Sequence, residues 1–244
     1  MGTEFNKQQF LQAYPAGIED TYWNRARNRI ILNIARRYKL NNILDVGCGR
    51  GIVTSYLHKS GLSVIGVDMG SPSSSAKTGC AIYYNTEAGD LPDDIRKQVQ
   101  AITLFDVIEH IEHPREFLKR LTEQFPNLEY LMITVPARRE LWTNFDNYYG
   151  HFRRYTLQSV KKEVEDSGFN IIFSRYFFHI LYPLIRMNNI FFKNRDIDIK
   201  APEGLFSRMI HKASASLFYS EIFLVPGRVR GSSIVAVCKK TKTT

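Results

Sequence analysis

Short apolar runs alternate along this chain with stretches whose apolar positions recur every three or four residues. "NNILDVGC" (41–48), "LSVIGVD" (62–68), "CAIYYN" (80–85) and "QAITLFDVI" (100–108) each have the length and character of a buried strand. "EYLMITVPA" (129–137), "NIIFSRYFF" (170–178) and "SSIVAVCKK" (232–240) complete a set of seven. Between them lie helical patterns. "DTYWNRARNRIILNIARRYK" carries Ile30, Ile31, Ile34 and Ala35 on one face, with Asp20 or Thr21 as N-cap. "GIVTSYLHKSG" predicts a helix ending at Gly61, and "HPREFLKRLTEQF" one that starts at Pro114 and buries Phe117, Leu118, Leu121 and Phe125. "TLQSVKKEVEDSGF" predicts a helix capped by Thr156 and stopped near Gly168. Strands alternating with helices require crossover connections, so the expected fold is a doubly wound, mainly parallel seven-stranded α/β sheet with helices on both faces.

Residues 177–226 break the alternation and predict an aromatic-rich helical insertion before the last strand. Leu205, Phe206, Met209, Ile210, Ala213, Leu217 and Phe218 fall on one helical face, which reads first as a core face and second as a membrane-facing stripe. The expected organisation is one domain over 1–244. Helices occupy 1–40, the sheet takes 41–176 and 232–240, and 177–226 forms a substrate-side insertion or lid.

Composition changes this picture at one point. The chain has 244 residues, 44% apolar and 23% charged, as a globular protein does, but a formal charge of +9. That excess favours an anionic partner: nucleic acid, a phospholipid headgroup or a phosphorylated substrate. The basic residues are scattered, so charge alone does not choose among them. Cys48, Cys80 and Cys238 have neither metal-like nor disulfide-framework spacing, and no metal is expected. The longest strongly apolar stretch, "YFFHILYPLI", is about half of what a bilayer span needs. With no basic and apolar leader visible, a cytoplasmic protein is expected, with peripheral contact to an anionic membrane as an option.

The loop after the first strand, Gly47-Cys48-Gly49-Arg50-Gly51, lies where open α/β sheets bind ligands. Glycines there let backbone approach a ligand. A dinucleotide fingerprint needs a third small residue where Ile52 stands, and here an acid, Asp45, precedes the glycines. The pattern Asp45-x-Gly47-x-Gly49-x-Gly51 resembles the first motif of class I, Rossmann-like methyltransferases. Asp68, ending the second strand, matches the carboxylate that receives both ribose hydroxyls of S-adenosylmethionine in that family. The resemblance implies S-adenosylmethionine as cofactor, held around Asp45, Gly47, Cys48, Gly49, Gly51, Asp68 and Met69. Leu104, Phe105 and Asp106 would line the far side.

"LFDVIEHIEHPREFL" concentrates Asp106, Glu109, His110, Glu112 and His113 at the end of the fourth strand. With the glycine motif, "VIEH" resembles the bacterial methyltransferase-domain group that includes the quinone-biosynthesis O-methyltransferases, over roughly residues 40–137. A neutral histidine here is suited to take a hydroxyl proton during methyl transfer, so His110, Glu109 and the later His151 are the catalytic candidates. The Asn-Pro-Pro-aromatic motif of amino-methylating relatives is absent, and no cysteine sits as a pyrimidine nucleophile would. Oxygen is the expected acceptor.

"VPARRELWTNFDNYYGHFRRYT" (135–156) adds flat faces and forked donors. Trp142, Tyr149, Arg153, Arg154 and Tyr155 are the expected substrate-binding residues. "YWNRAR" is similar to the first helix of the same group, which implies Trp23 over the cofactor and Arg25 at its carboxylate. The expectation is O-methylation of a small-molecule or lipid- or glycan-linked acceptor of anionic character. RNA methylation fits the charge as well and differs in its steep salt dependence. A non-catalytic binding module on the same fold is a third reading.

Overall fold

The computed structural model describes residues 7–70, 79–191, 198 and 200–241. Seven strands form one sheet in the order β3-β2-β1-β4-β5-β7-β6. They are β1 Ile43–Val46, β2 Val64–Asp68, β3 Ile82–Tyr84, β4 Ala101–Phe105, β5 Tyr130–Pro136, β6 Phe169–Phe177 and β7 Ser233–Lys240. Strands β1 to β5 pair in parallel, while β7 runs antiparallel between β5 and β6. The expected mainly parallel, doubly wound Rossmann-like sheet is therefore the observed one.

The central strands are apolar on both sides because helices cover both faces. Leu44, Ile102, Leu104 and Ile133 point into one core, with Leu118 and Leu121 of α5 (Pro114–Gln124). Ile43, Ala101, Phe105 and Met132 point into the other, against Ile30, Ile31 and Ile34 of α2 (Tyr22–Arg37). Thr21 caps α2 through a hydrogen bond from Asn24 N, and Thr156 caps α7 (Leu157–Glu165) in a reciprocal box with Ser159. Helices α1 (Lys7–Ala13), α3 (Ile52–Lys59), α4 (Asp93–Gln98) and α6 (Asn144–Tyr148) complete the sheet's surroundings.

The 177–226 region forms α8 (Leu181–Phe191) and α9 (Gly204–Leu224). Its helical character matches expectation, but the buried face does not. Leu205, Phe206, Met209, Ile210 and Leu217 are exposed, and of the expected face only Phe218 is buried among the large side chains. Helix α9 packs on α2 through a different face, with His211, Ala215, Phe218 and Ile222 turned inward; Tyr22 N donates to His211 Nδ1 at 3.0 Å. Among the described residues no helix is long and apolar enough to cross a membrane.

Candidate functional site

Strands β1, β2 and β4 end together, and their loops meet at the carboxyl edge of the sheet. Gly47 (φ 72°), Gly49 (φ 56°) and Gly51 (φ 73°) all lie in the left-handed region, so the loop coils tightly before α3 begins. A Cβ at Gly47 would come within 2.8 Å of the Val107 side chain, and one at Gly49 would collide with the Tyr14 hydroxyl. The bare backbone is thus a steric requirement of this loop.

Asp68 ties that loop to the next strand. Its carboxylate accepts from Gly49 N at 2.6 Å and Gly70 N at 2.8 Å. Asp45 behaves differently. It is buried and accepts from Thr54 Oγ1 (2.6 Å) on α3 and Thr103 Oγ1 (2.9 Å) on β4, the residue opposite it in register. Burial raises its carboxyl to about 6 against the opposing threonine bonds. Asp45 therefore pins the loop from below and does not face the crevice. Cys48 lies in the loop, and burial and the Asp45 and Asp68 charges push its thiol well up; Met69 is exposed just beyond Asp68. Leu104 and Phe105, expected along the crevice, are buried on opposite faces of β4.

Asp106 sits at the turn out of β4 with φ 59°. Its partner is Arg27, whose Nη2 stands 2.6 Å from Asp106 Oδ2 and 3.1 Å from Thr134 Oγ1. The Arg27 guanidinium lies 4.8 Å from the Trp23 ring and 5.6 Å from that of Phe105. Arg25, expected at the cofactor, is turned to Asp20 instead, at 2.6 Å. The reason is helical phase: Arg27 shares the inward stripe of Ile30, Ile31 and Ile34, and Arg25 does not.

The turn after β4 places Glu109 fully buried, and among the described residues neither of its carboxylate oxygens has a hydrogen-bond partner. Burial first and Asp106 second push its carboxyl well above the usual range, which favours the protonated form. The His110 ring meets that of His151 edge-on at 4.6 Å; burial and then His151 lower His110 to about 3. One ligand atom from each of Glu109, His110 and His151 lies within 4.8 Å of the other two, a spacing that suits a divalent cation.

Asp146 was not evident from the sequence, although Thr143-x-x-Asp146 is a capping box and that signal was available. It is fully buried. Its Oδ1 stands 2.8 Å from His151 Nδ1, and Arg154 grips both oxygens at 2.7 and 3.0 Å. Burial would raise this carboxyl, but the bonds from His151 and Arg154 hold it at about 2.

Of the expected substrate residues, Arg154 is consumed by this clamp. Tyr155 is buried and donates to Ile108 O at 3.2 Å, and Tyr149 is buried among Phe145 and Tyr148. Burial and existing partners account for all three, and none of them presents an open face. Trp142, half-buried and donating to Asn147 Oδ1, and Arg153, bonded to Glu112 O, remain nearer the surface.

The profile of a family described as "Methyltransferase domain" matches residues 19–173, from the turn just before α2 to the middle of β6. The chain belongs to this methyltransferase family. Among curated relatives, a ubiquinone biosynthesis O-methyltransferase from Pseudomonas syringae pv. tomato is 31% identical over 84 residues, 32% of this chain and 36% of that protein. One from Shewanella halifaxensis is 33% identical over the same length. The chain thus spans about a third of the length of the curated relatives it matches.

Solved structures share the fold at lower identity. A methyltransferase from Archaeoglobus fulgidus superposes with TM-score 0.52 at 19% identity, covering 87% of this chain and 94% of that one. Phosphoethanolamine N-methyltransferase 2 of Haemonchus contortus, solved with S-adenosyl-L-methionine, gives 0.56 at 14%, covering 98% and 61%. Methyltransferases of this fold take their methyl group from S-adenosylmethionine, and this chain's loop suits that ligand. The glycine backbone offers a surface free of side chains of its own, and a carboxylate stands at the end of β2. The Tyr14 phenol rests against that backbone, so Tyr14 belongs to the site although the sequence did not mark it.

Proposed function

We propose that this methyltransferase O-methylates a small-molecule or lipid-linked acceptor, with S-adenosylmethionine held by the Gly47–Gly51 loop and Asp68, and with His151 as general base. The observation that carries the reading is the buried Asp146–His151 pair at 2.8 Å. An ionised carboxylate only accepts, so Nδ1 of His151 donates to it, and in the neutral ring the lone pair falls on Nε2. That is the tautomer a base requires.

When bound, S-adenosylmethionine supplies an electrophilic methyl group on a sulfonium. The chain supplies the rest. His151 Nε2 takes the acceptor hydroxyl's proton as the oxygen becomes nucleophilic, and Asp146 stabilises the resulting imidazolium. Arg154 fixes Asp146 in place and restricts the histidine's position. His110, kept neutral by burial, packs against the base without competing for its proton. Trp142 and Arg153 would meet an apolar and anionic acceptor at the rim.

A second reading is favoured by one observation, the unpartnered carboxylate of Glu109. With His110 and His151 it would hold a divalent cation, which supplies Lewis acidity toward acceptor oxygens, while Asp146 orients His151 from behind. Methyl transfer to hydroxylated aromatic acceptors, measured with and without chelator, separates the two. Activity that survives chelation but falls in His151→Asn supports the base. Activity abolished by chelation and restored by Mg²⁺ or Mn²⁺ supports the metal, and activity unchanged in His151→Asn contradicts both.

A further inference from the structure

We propose that α8 and the outer face of α9 form a docking surface for an anionic lipid membrane. The inner face of α9 packs on α2, where the Tyr22 and Phe218 rings meet tilted at 5.3 Å and Arg29 lies 4.1 Å over Tyr219. The opposite face is apolar, and its large side chains are exposed among the described residues. Leu205, Phe206 and Met209 are 81%, 78% and 68% exposed, and Ile210, Leu217 and Leu224 continue the same stripe. Side chains at this i, i+3, i+4, i+7 spacing share one side of a helix.

Helix α8 repeats the arrangement. Leu184, Met187 and Phe191, at i, i+3 and i+7, are all exposed. The two helices are joined where it matters. Buried Glu221 near the end of α9 accepts from His179 N (2.7 Å) and Ile180 N (3.1 Å) at the start of α8. Arg175 of β6 donates to Ile222 O and Val225 O, closing the carboxyl end of α9. The exposed Phe223 and Leu224 therefore lie beside the root of the α8 stripe.

Soluble monomers rarely leave an apolar surface of this extent uncovered. Charge identifies what covers it. From 177 to 231 the sequence has eight Lys and Arg against four Asp and Glu, and one of the four, Glu221, is buried in the capping role just described. Lys212 flanks the α9 stripe, and Arg228 and Arg230 stand exposed beyond its end. An apolar stripe edged by cations matches an anionic bilayer surface, which takes the apolar side chains into its acyl boundary and the cations among its headgroups. A second copy of this chain would instead bring like charge against like charge across a two-fold interface. Neither helix spans a membrane, so the contact is peripheral. The family match ends at residue 173, and this surface lies wholly beyond it.

The test is co-sedimentation of the full chain with phosphatidylcholine vesicles, with and without phosphatidylglycerol. Wild type should bind the anionic vesicles on the order of ten-fold better than the neutral ones. Phe206→Ser/Met209→Ser/Leu217→Ser should lose that binding by a similar factor with an unchanged melting temperature, since all three side chains face solvent. Lys212→Glu/Arg228→Glu/Arg230→Glu should lose the preference for phosphatidylglycerol. Failure of wild type to bind anionic vesicles, or serine-variant binding equal to wild type, overturns the proposal. So does a stable wild-type dimer by light scattering that the serine variant disperses, because a second copy would then be the occupant.

Discussion

Residues 19–173 and residues 177–226 handle their side chains in opposite ways. In the first region ionisable groups go inside: Asp45, Asp146, Glu109 and Arg27 are all buried, the first two and Arg27 held by named partners and Glu109 kept toward its neutral form by burial. In the second region large apolar groups stay outside, along α8 and α9. Burying a charge costs several kcal/mol unless it is paired, and leaving a large apolar side chain in water forgoes roughly 1.5–3 kcal/mol each. Both regions therefore carry arrangements that folding alone does not favour. The difference lies in how each is made good. The first balances its charges internally around the sheet's carboxyl edge, and the second waits for a surface outside the molecule.

The largest expected effect that tests this contrast is on catalysis. His151→Asn should lower kcat by roughly 10²–10⁴-fold, the range of a lost general base, with cofactor affinity unchanged. Steady-state kinetics with separate cofactor titration checks it, and equal losses in both would place His151 in cofactor binding instead.

Next is the internal balance of charge. Arg27→Met removes the guanidinium from Asp106 and Thr134, which keep their bond to each other at 3.2 Å, and should destabilise the fold by about 2 kcal/mol, moderated because Asp106 is partly exposed. Denaturant unfolding measures this directly. Arg25→Met, which removes only a partly exposed pair with Asp20, should cost less than about 1 kcal/mol.

An effect of similar size follows from His110. In the unfolded chain it binds a proton near its ordinary 6.5, while in the fold it resists protonation down to about 3. Between those values only the unfolded chain takes up the proton. His110's contribution to stability is therefore fully present above pH 6.5 and declines as pH falls, by about 2 kcal/mol at pH 5. His110→Gln should flatten that slope in urea titrations at pH 5 and 7.

The sheet was legible because its central strands, covered on both faces, read as unbroken apolar runs, and β3, β6 and β7 stand at shorter or mixed apolar runs bounded by turn residues. The caps Thr21 and Thr156 and the stop at Gly61 were legible for the same local reason. The site was only half legible. Gly47, Gly49 and Asp68 announce themselves by type and order, but an acid in a strand gives no sign of which face it occupies, and Asp45 turned inward to two threonines. Arg25 and Arg27 differ only in helical phase, and the isoleucines that fix the phase were on view. Tyr149, Arg154 and Tyr155 have recognition chemistry, and their burial and partners depend on segments far away in sequence. For α9, apolar residues lie almost all the way round, so periodicity shows two candidate faces, and only packing against α2 selects Phe218's side.

The smallest expected effect concerns Tyr14, whose phenol covers Gly49. If that ring must give way to the cofactor, Tyr14→Ala should tighten binding a few-fold, on the order of 1 kcal/mol, by removing the closed state from the equilibrium. Weaker binding would instead make Tyr14 part of the cofactor's wall.

The central proposed contact is the one between S-adenosylmethionine, the bare glycine loop and the carboxylate that ends β2. Calorimetric titration of S-adenosylmethionine into wild type and Asp68→Ala tests it. The expected result is one site in wild type and an affinity lower by roughly 10- to 100-fold in the variant, the loss of charge-assisted hydrogen bonds. Equal affinity in the two proteins would contradict it.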